Sequence, residues 1–300
     1  MSRKILALPG AETFADALAP RLGASRGRLD WRHFPDGESL LAVDDAVRDE
    51  DVLLVACLRD PDRSALGLRF AAATLREFGA RSVGLVAPYL PYMRQDIRFR
   101  AGEAVSAPLY ARFLQESFDW LVTVDPHLHR ITRLDQVFAI PARVVEAAPA
   151  IAEWIRTHVP GAVVIGPDAE SLQWVGRIGE LAGVPVQVLS KVRHGDREVE
   201  VSLPDAAAAA GRTPVVVDDI ASSGATIVET LRHLGTLGLP PAACVVTHAL
   251  FAGDACERVR AAGAREVVST DTLPHASNGI SVVALVAQAC EAVLAELPRR

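Results

Sequence analysis

The feature that most constrains this chain is an alternation. Short, nearly continuous runs of β-branched and apolar residues recur, each followed by a stretch of helix length. The runs fall at 4–8, 51–56, 82–87, 120–124, 162–165, 186–189, 214–217, 244–247 and 266–269. A strand that is apolar on both sides of its pleat must be covered on both faces, as in a parallel sheet between helix layers. The intervening stretches carry the helical period. In 64–78, Leu68, Ala72, Leu75 and Phe78 share one face before Gly79; in 226–234, Ile227, Leu231 and Leu234 do the same before Gly235. Such alternation predicts a doubly wound α/β fold. The pattern runs twice, with a junction at 146–149. The expectation is therefore two mostly parallel-sheet α/β domains, 1–145 and 146–300, with the last helical stretch, 282–297, able to pack on either.

Charge and apolar runs exclude several classes. A net charge of −6 over 300 residues offers no basic face for nucleic acid or for an anionic membrane surface. Phosphates can bind such a chain only in local pockets of backbone N–H groups and a few cations. The N-terminal apolar run is about five residues, against roughly 7–15 for a secretory signal and about 20 for a membrane span, so a cytoplasmic protein is expected. Cys57, Cys244, Cys256 and Cys290 have no C-x-x-C spacing and read as reduced, buried thiols.

In open α/β sheets ligands collect beyond the carboxyl ends of the strands. The most informative cluster there is Pro214-Val-Val-Val-Asp218-Asp219-Ile-Ala-Ser222-Ser223-Gly224-Ala225-Thr226. Three valines form a buried strand, two carboxylates follow it, and a turn of small residues opens a helix. Hydroxyls and N–H groups at a helix start favour a phosphate. Two carboxylates beside a phosphate repel it unless they meet sugar hydroxyls or a metal, and ribose 5-phosphate supplies phosphate and hydroxyls together. A capped βα turn alone explains one hydroxyl and not the acid pair.

Other polar residues suit nucleotide and metal chemistry. Arg94 can hold a polyphosphate bidentately, with Gln95 and Asp96 ordering nucleotide groups or metal-bound water. His127 follows a strand and precedes a polar loop, so its imidazole can reach a metal, though a lone histidine is more often structural; His129 lies two residues on. Asp168 stands at a strand end before a helical stretch at 169–181, as N-cap or metal ligand. Lys191 and Arg193 lie in a charged stretch containing Gly195, the composition of a flap that closes cations over a transferring group.

The 218–226 segment resembles the phosphoribosyl-binding loop shared by type I phosphoribosyltransferases and phosphoribosyl diphosphate synthetases. Further motifs resemble the ribose-phosphate diphosphokinase family specifically. Phe34-Pro35-Asp36-Gly37-Glu38 is similar to its adenine-contacting loop, which reaches a neighbouring subunit's site, and Tyr92-Met93-Arg94-Gln95-Asp96 to its ATP-binding stretch. Asp125-Pro126-His127 is similar to its metal-binding strand end, Pro167-Asp168 to the start of its diphosphate loop, and Lys191-Val192-Arg193 to its catalytic flap. The order and spacing agree over nearly the whole chain.

The resemblance implies two domains of type I phosphoribosyltransferase-like architecture. It also implies diphosphoryl transfer from ATP to ribose 5-phosphate, and Lys191 and Arg193 as catalytic residues. Phe34, Asp36, Glu38, Arg94, Gln95 and Asp96 are then ATP-binding. Asp218, Asp219, Ser222, Ser223, Gly224, Ala225 and Thr226 bind ribose 5-phosphate, and His127 and Asp168 hold Mg2+ (or Mn2+). A neighbour-donated Phe34 loop implies a homo-oligomer, at least a dimer. Departures from the common pattern lie at Glu170 and Ser171, where two glycines are usual, and at Trp174, where an arginine is common; together with the Lys-Val-Arg flap they are closer to the archaeal-type branch. Side chains at 170 and 171 are expected to narrow the space for a diphosphate. Two rivals remain: a type I phosphoribosyltransferase, which leaves the 34–38 and 94–96 motifs idle, and a low-activity regulatory paralogue, supported only by the departures.

Overall fold

The computed structural model describes residues 2–194, 198–202 and 209–298, with backbone alone for 190–194 and 198–202. The chain divides into two compact units. The first comprises Met1–Glu146, Thr272–Pro274 and Val283–Arg300, and the second Ala147–Asp271 and His275–Val282.

The first unit runs β1 (Arg3–Ala7), α1 (Glu12–Leu18), β2 (Ser25–Arg26), β3 (Leu29–His33), β4 (Ser39–Val43), β5 (Asp51–Val55), α2 (Pro61–Glu77), β6 (Ser82–Val86), α3 (Ser106–Gln115), β7 (Trp120–Val124) and β8 (Ala142–Val145). Six strands form a sheet in the order β2-β1-β5-β6-β7-β8, and every neighbouring pair is parallel. β5, β6 and β7 are buried along their whole length, which is why their sequences are apolar without alternation. Helix α2 opens with Pro61 in its first turn, where the missing N–H costs nothing, and buries Leu68, Ala72 and Leu75. Phe78, expected on that buried face, is instead 43% exposed, because the helix ends at Glu77 and the chain turns at Gly79, φ +86°.

The second unit runs α4 (Ala148–His158), β9 (Ala162–Gly166), α5 (Leu172–Ala182), β10 (Val186–Val188), β11 (Ser190–His194), β12 (Glu198–Ser202), β13 (Thr213–Ala221), α6 (Ala225–Thr236), β14 (Ala243–Ala249), α7 (Ala255–Ala261), β15 (Glu266–Thr270) and β16 (Asn278–Ile280). Its six-stranded sheet, β10-β9-β13-β14-β15-β16, is again parallel throughout. β11 and β12 form a separate antiparallel ribbon. All four cysteines are free thiols, with Cys244, Cys256 and Cys290 buried and Cys57 half-buried.

The final helix, α8 (Val283–Glu296), belongs to the first unit, which differs from a domain running unbroken from 146 to 300. It packs on β7, β8 and α1. Arg3 of β1 grips Glu291 with both guanidinium ends, one of them at 2.8 Å, and Arg143 of β8 pairs with Glu296. The same bond to Glu291 raises the pKa of Arg3.

Candidate active site

In the second unit the acidic pair lies inside a strand rather than after it. β13 continues through Ala221, four residues past the apolar run. It pairs with β9 only as far as Val216, yet with β14 to Ala221, so its last residues have a ladder on one side and an open edge on the other. Alternation along the strand turns Asp218 and Asp219 to different sides. Asp218 is half-buried and accepts the Asp219 N–H at 3.0 Å, while Asp219 is buried.

Ser222 and Ser223 then bend the chain into Gly224, the N-cap of α6, held at φ +69°. Ser223 Oγ accepts the Ala225 N–H at 3.4 Å. The loop's carbonyls are engaged from behind: Phe251 N–H donates to Ala221 O (2.7 Å), Ala252 N–H to Ser222 O (3.0 Å) and the Arg258 guanidinium to Ser223 O (3.0 Å). With the carbonyls occupied, the turn offers its N–H groups and the helix start to an anion. A Cβ at Gly224 would lie 3.1 Å from Val259 Cγ2 and 3.4 Å from Ala255 O, on top of the left-handed strain. Gly224→Ala is expected to lower unfolding free energy by about 1–2 kcal/mol, read by urea denaturation.

Asp168 follows β9 with extended backbone and caps a 3-10 turn at Ala169–Ser171, accepting the Ser171 N–H at 3.1 Å; the helix proper begins at Leu172. Ser171 is fully buried and its hydroxyl donates to Asp168 O at 2.5 Å. It lies against Gly166, where a Cβ would come within 2.2 Å of Ser171 Oγ. Ser171 therefore points into the protein, whereas the resemblance led its side chain to be expected in the diphosphate space; Glu170 is exposed. Lys191 and Arg193 lie two positions apart on β11, opposite Val201 and Val199 of β12. Their side chains lie outside the described residues.

In the first unit, Phe34-Pro35-Asp36-Gly37-Glu38 forms the tip of the β3–β4 hairpin. Phe34 N–H donates to Glu38 O (2.8 Å), Gly37 N–H to Phe34 O (2.9 Å) and Glu38 N–H to Asp36 Oδ1 (3.1 Å). Phe34, Asp36 and Glu38 are exposed, and the Arg32 guanidinium stands 4.7 Å over the Phe34 ring. A cavity of about 550 Å³ lies by Trp31, Arg32, His33, Cys57, Arg59 and Arg63, a grouping of cations that no sequence spacing announces.

The 92–96 stretch divides its labour. Tyr92, at φ +68°, hydrogen-bonds its hydroxyl to Asp62, and that bond together with burial pushes its pKa up to about 12, so it remains a donor. Arg94 is exposed. Gln95 braces the start of α3: its Oε1 accepts from Ser106 Oγ (2.8 Å) and its carbonyl from Ala107 N–H (3.2 Å). Asp96, its side chain 3% exposed, accepts the Arg130 N–H (3.0 Å) and guanidinium (3.1 Å). Burial alone would raise the Asp96 pKa, but the Arg130 hydrogen bonds outweigh it and hold the carboxyl below its ordinary range.

Removing this acceptor by Asp96→Ala is expected to cost about 1.5–3 kcal/mol of stability at neutral pH. Because the folded pKa is depressed, the contribution is present above the unfolded aspartate value of about 3.9 and is lost as pH falls through the folded value. Parallel urea titrations at pH 7 and in acid check both statements.

Arg130 ties Asp96 to the loop after β7. There Asp125 (φ +32°) and His127 (φ +52°) both adopt left-handed backbone around Pro126, and His127 N–H closes a tight turn on Asp125 O at 2.8 Å. His127 Nε2 lies 2.9 Å from His129 Nε2. The resemblance assigns the metal position to His127 and not to His129.

The six-stranded parallel sheet of the second unit, with the 222–226 turn following its interior strand β13, has the layout of a phosphoribosyltransferase-type domain. The comparisons agree and go further. Residues 133–284 match the phosphoribosyl transferase domain, and residues 3–117 match the N-terminal domain of ribose phosphate pyrophosphokinase. A ribose-phosphate pyrophosphokinase of Methanopyrus kandleri is 35% identical over 91% of this chain and 94% of its own length. Another, of Halobacterium salinarum, is 33% identical over 95% and 99%. The crystal structure of phosphoribosylpyrophosphate synthetase from Mycobacterium smegmatis superposes with a TM-score of 0.86 at 25% identity, covering 99% of this chain and all of that one. The chain belongs to the ribose-phosphate pyrophosphokinase family, and its relatives at 30–35% identity include archaeal members.

Proposed function

We propose that this chain transfers the β,γ-diphosphoryl group of ATP to the C1 hydroxyl of ribose 5-phosphate, giving 5-phosphoribosyl 1-diphosphate and AMP. The observation that carries the reading is the coexistence, in one chain of this family, of the 222–226 anion turn with the separate N-terminal domain match over 3–117. A phosphoribosyltransferase needs the first and has no use for the second.

In the reaction the C1 oxygen attacks the β-phosphorus in line. The bond from that phosphorus to the α,β-bridging oxygen breaks, its electron pair leaves on the α-phosphate of AMP, and the C1 hydroxyl proton passes to solvent. Such transfers need positioning and charge neutralisation more than a protein nucleophile. Ser222 to Thr226 would bind the 5-phosphate, and Asp218 and Asp219 the ribose hydroxyls. Phe34, Asp36, Glu38 and Arg94 would contact ATP. Gln95 and Asp96 would act mainly by bracing α3 and the His127 loop, since both side chains are engaged there. Lys191 and Arg193 would offset charge on the β-phosphate and the leaving oxygen.

Each residue that the resemblance assigns to the metal suits a divalent cation by its chemistry: His127 supplies imidazole on the tight turn after β7 of the first unit, and Asp168 a carboxylate after β9 of the second. Mg2+ (or Mn2+) carried with ATP would neutralise phosphate charge. The exposed hairpin tip at Phe34 supports donation to a second subunit, hence at least a dimer. Among the described residues no helix is long and apolar enough to cross a membrane. A cytoplasmic place, where ATP and sugar phosphates are made, fits this chemistry.

Incubation of purified protein with ATP, a divalent cation and ribose 5-phosphate, followed by anion-exchange chromatography, is expected to show AMP only when the sugar phosphate is present. Nucleotide formed from phosphoribosyl diphosphate and a free base, without ATP, would mark the phosphoribosyltransferase instead. No AMP from the isolated chain would mark the regulatory paralogue.

A further inference from the structure

We infer that His129 joins His127 as a second imidazole ligand, and that the pair shifts this chain's metal preference towards first-row transition cations such as Co2+ and Ni2+ and away from Mg2+. The inference rests on the proposed function, because it concerns the cation that would accompany ATP at the His127 turn.

The geometry comes first. Two nitrogens each about 2.1 Å from one metal and at right angles around it lie about 3.0 Å apart, the separation of neighbouring ligands in an octahedral shell. His127 Nε2 and His129 Nε2 are 2.9 Å apart, with their rings inclined at 71°. The two imidazoles thus converge at the spacing that a shared octahedral cation requires.

The scaffold holds them there from both sides. Before the pair, the left-handed residues Asp125 and His127 flank Pro126, and the turn is fixed by His127 N–H to Asp125 O (2.8 Å) and Asp125 N–H to Val145 O (3.1 Å). Non-glycine residues at positive φ are uncommon and persist where the surroundings enforce them, often at functional sites. After the pair, Arg130 is clamped by Asp96 through its N–H and its guanidinium. Ligands whose backbone is fixed at each flank lose little freedom on binding.

The chemistry follows from donor type. Imidazole suits Co2+, Ni2+ and Zn2+, whereas Mg2+ takes oxygen and keeps much of its water. Among the described residues no group of three or more His, Cys, Asp or Glu side chains gathers to hold a metal. The other positions are left to oxygen donors, and the second imidazole becomes the ligand that discriminates between cations. A plain N–H···N hydrogen bond between the rings gives a similar distance, so the test must tell these apart.

Full-length protein is titrated with Co2+ in the absence of nucleotide and sugar phosphate, following visible absorption and heat of binding, and is then back-titrated with Mg2+. The measurement is repeated for His127→Ala, His129→Ala and His129→Gln, with thermal unfolding confirming that each variant is folded. Both His129 variants are expected to bind Co2+ about tenfold or more weakly, to alter the absorption band, and to release half their Co2+ at correspondingly lower Mg2+. Unchanged Co2+ affinity and spectrum in both variants would reduce the pair to a hydrogen bond and overturn the inference. No turnover is read, so a failure of the proposed reaction leaves this result standing, and an active enzyme with unaltered Co2+ binding defeats the pair alone.

Discussion

Lys191→Ala is expected to lower turnover by about 10²-fold or more while changing ATP affinity only modestly, the pattern left by removing a donor that acts chiefly in the transition state. Charge in the diphosphoryl transfer builds on the β-phosphate and on the departing α-phosphate oxygen. A cation brought to those atoms as the bond breaks stabilises that charge more than it stabilises bound ATP. Lys191 stands on β11 with Arg193 two residues on, in a ribbon separate from the main sheet. Steady-state kinetics with saturating ribose 5-phosphate give kcat and KM for ATP separately. Near wild-type kcat in the variant would remove the ribbon from the mechanism, and a rise in KM with unchanged kcat would assign Lys191 to ground-state binding.

Gly84→Val is expected to unfold the first unit at ordinary temperatures, or to lower its stability by about 3 kcal/mol or more. Gly84 sits in the middle of β6, directly opposite Trp120 of β7. Trp120 is fully buried, and its indole lies across the glycine: a Cβ at position 84 would fall 1.9 Å from Trp120 Cε2. The clash cannot be relieved by a flexible side-chain end, because the obstacle is a rigid ring enclosed in the core. For a unit of this size each kcal/mol moves Tm by about 2–4 °C, so a fall of about 6–12 °C or more is expected by calorimetry. Gly84→Val combined with Trp120→Leu should recover part of the loss, since the added methyl groups then occupy the vacated ring space; two additive losses would contradict this packing account.

How much of this was legible in the sequence depended on burial. The nine apolar runs all became strands of the two parallel sheets, because strands covered on both faces leave a continuous apolar signature. β3, β4, β8 and β16 went unread: they are short and partly exposed or lie at a sheet edge, and β3 alternates, with half-buried Leu29 and Trp31 separated by exposed Asp30 and Arg32, instead of running apolar. β13 was cut short at Val217 because Asp218 and Asp219 interrupt the run, although the backbone ladder to β14 continues. Residue types at strand ends were readable, but their partners were not. Asp96 meets Arg130 across 34 positions, and nothing local in either segment predicts it. Ser171 was read as an obstacle from its side chain alone; the rotation that buries it against Gly166 is a tertiary fact. The side on which the last helix packs was likewise open until Arg3 and Arg143 were seen to meet Glu291 and Glu296.

Phosphorus-31 NMR of the purified protein with ATP, magnesium and ribose 5-phosphate tests the central claim most directly. The account predicts that AMP and a diphosphate attached to the sugar C1 appear together and in equal amounts, while the 5-phosphate resonance persists. The appearance of ADP with a singly phosphorylated C1 would make this an ordinary kinase and contradict it.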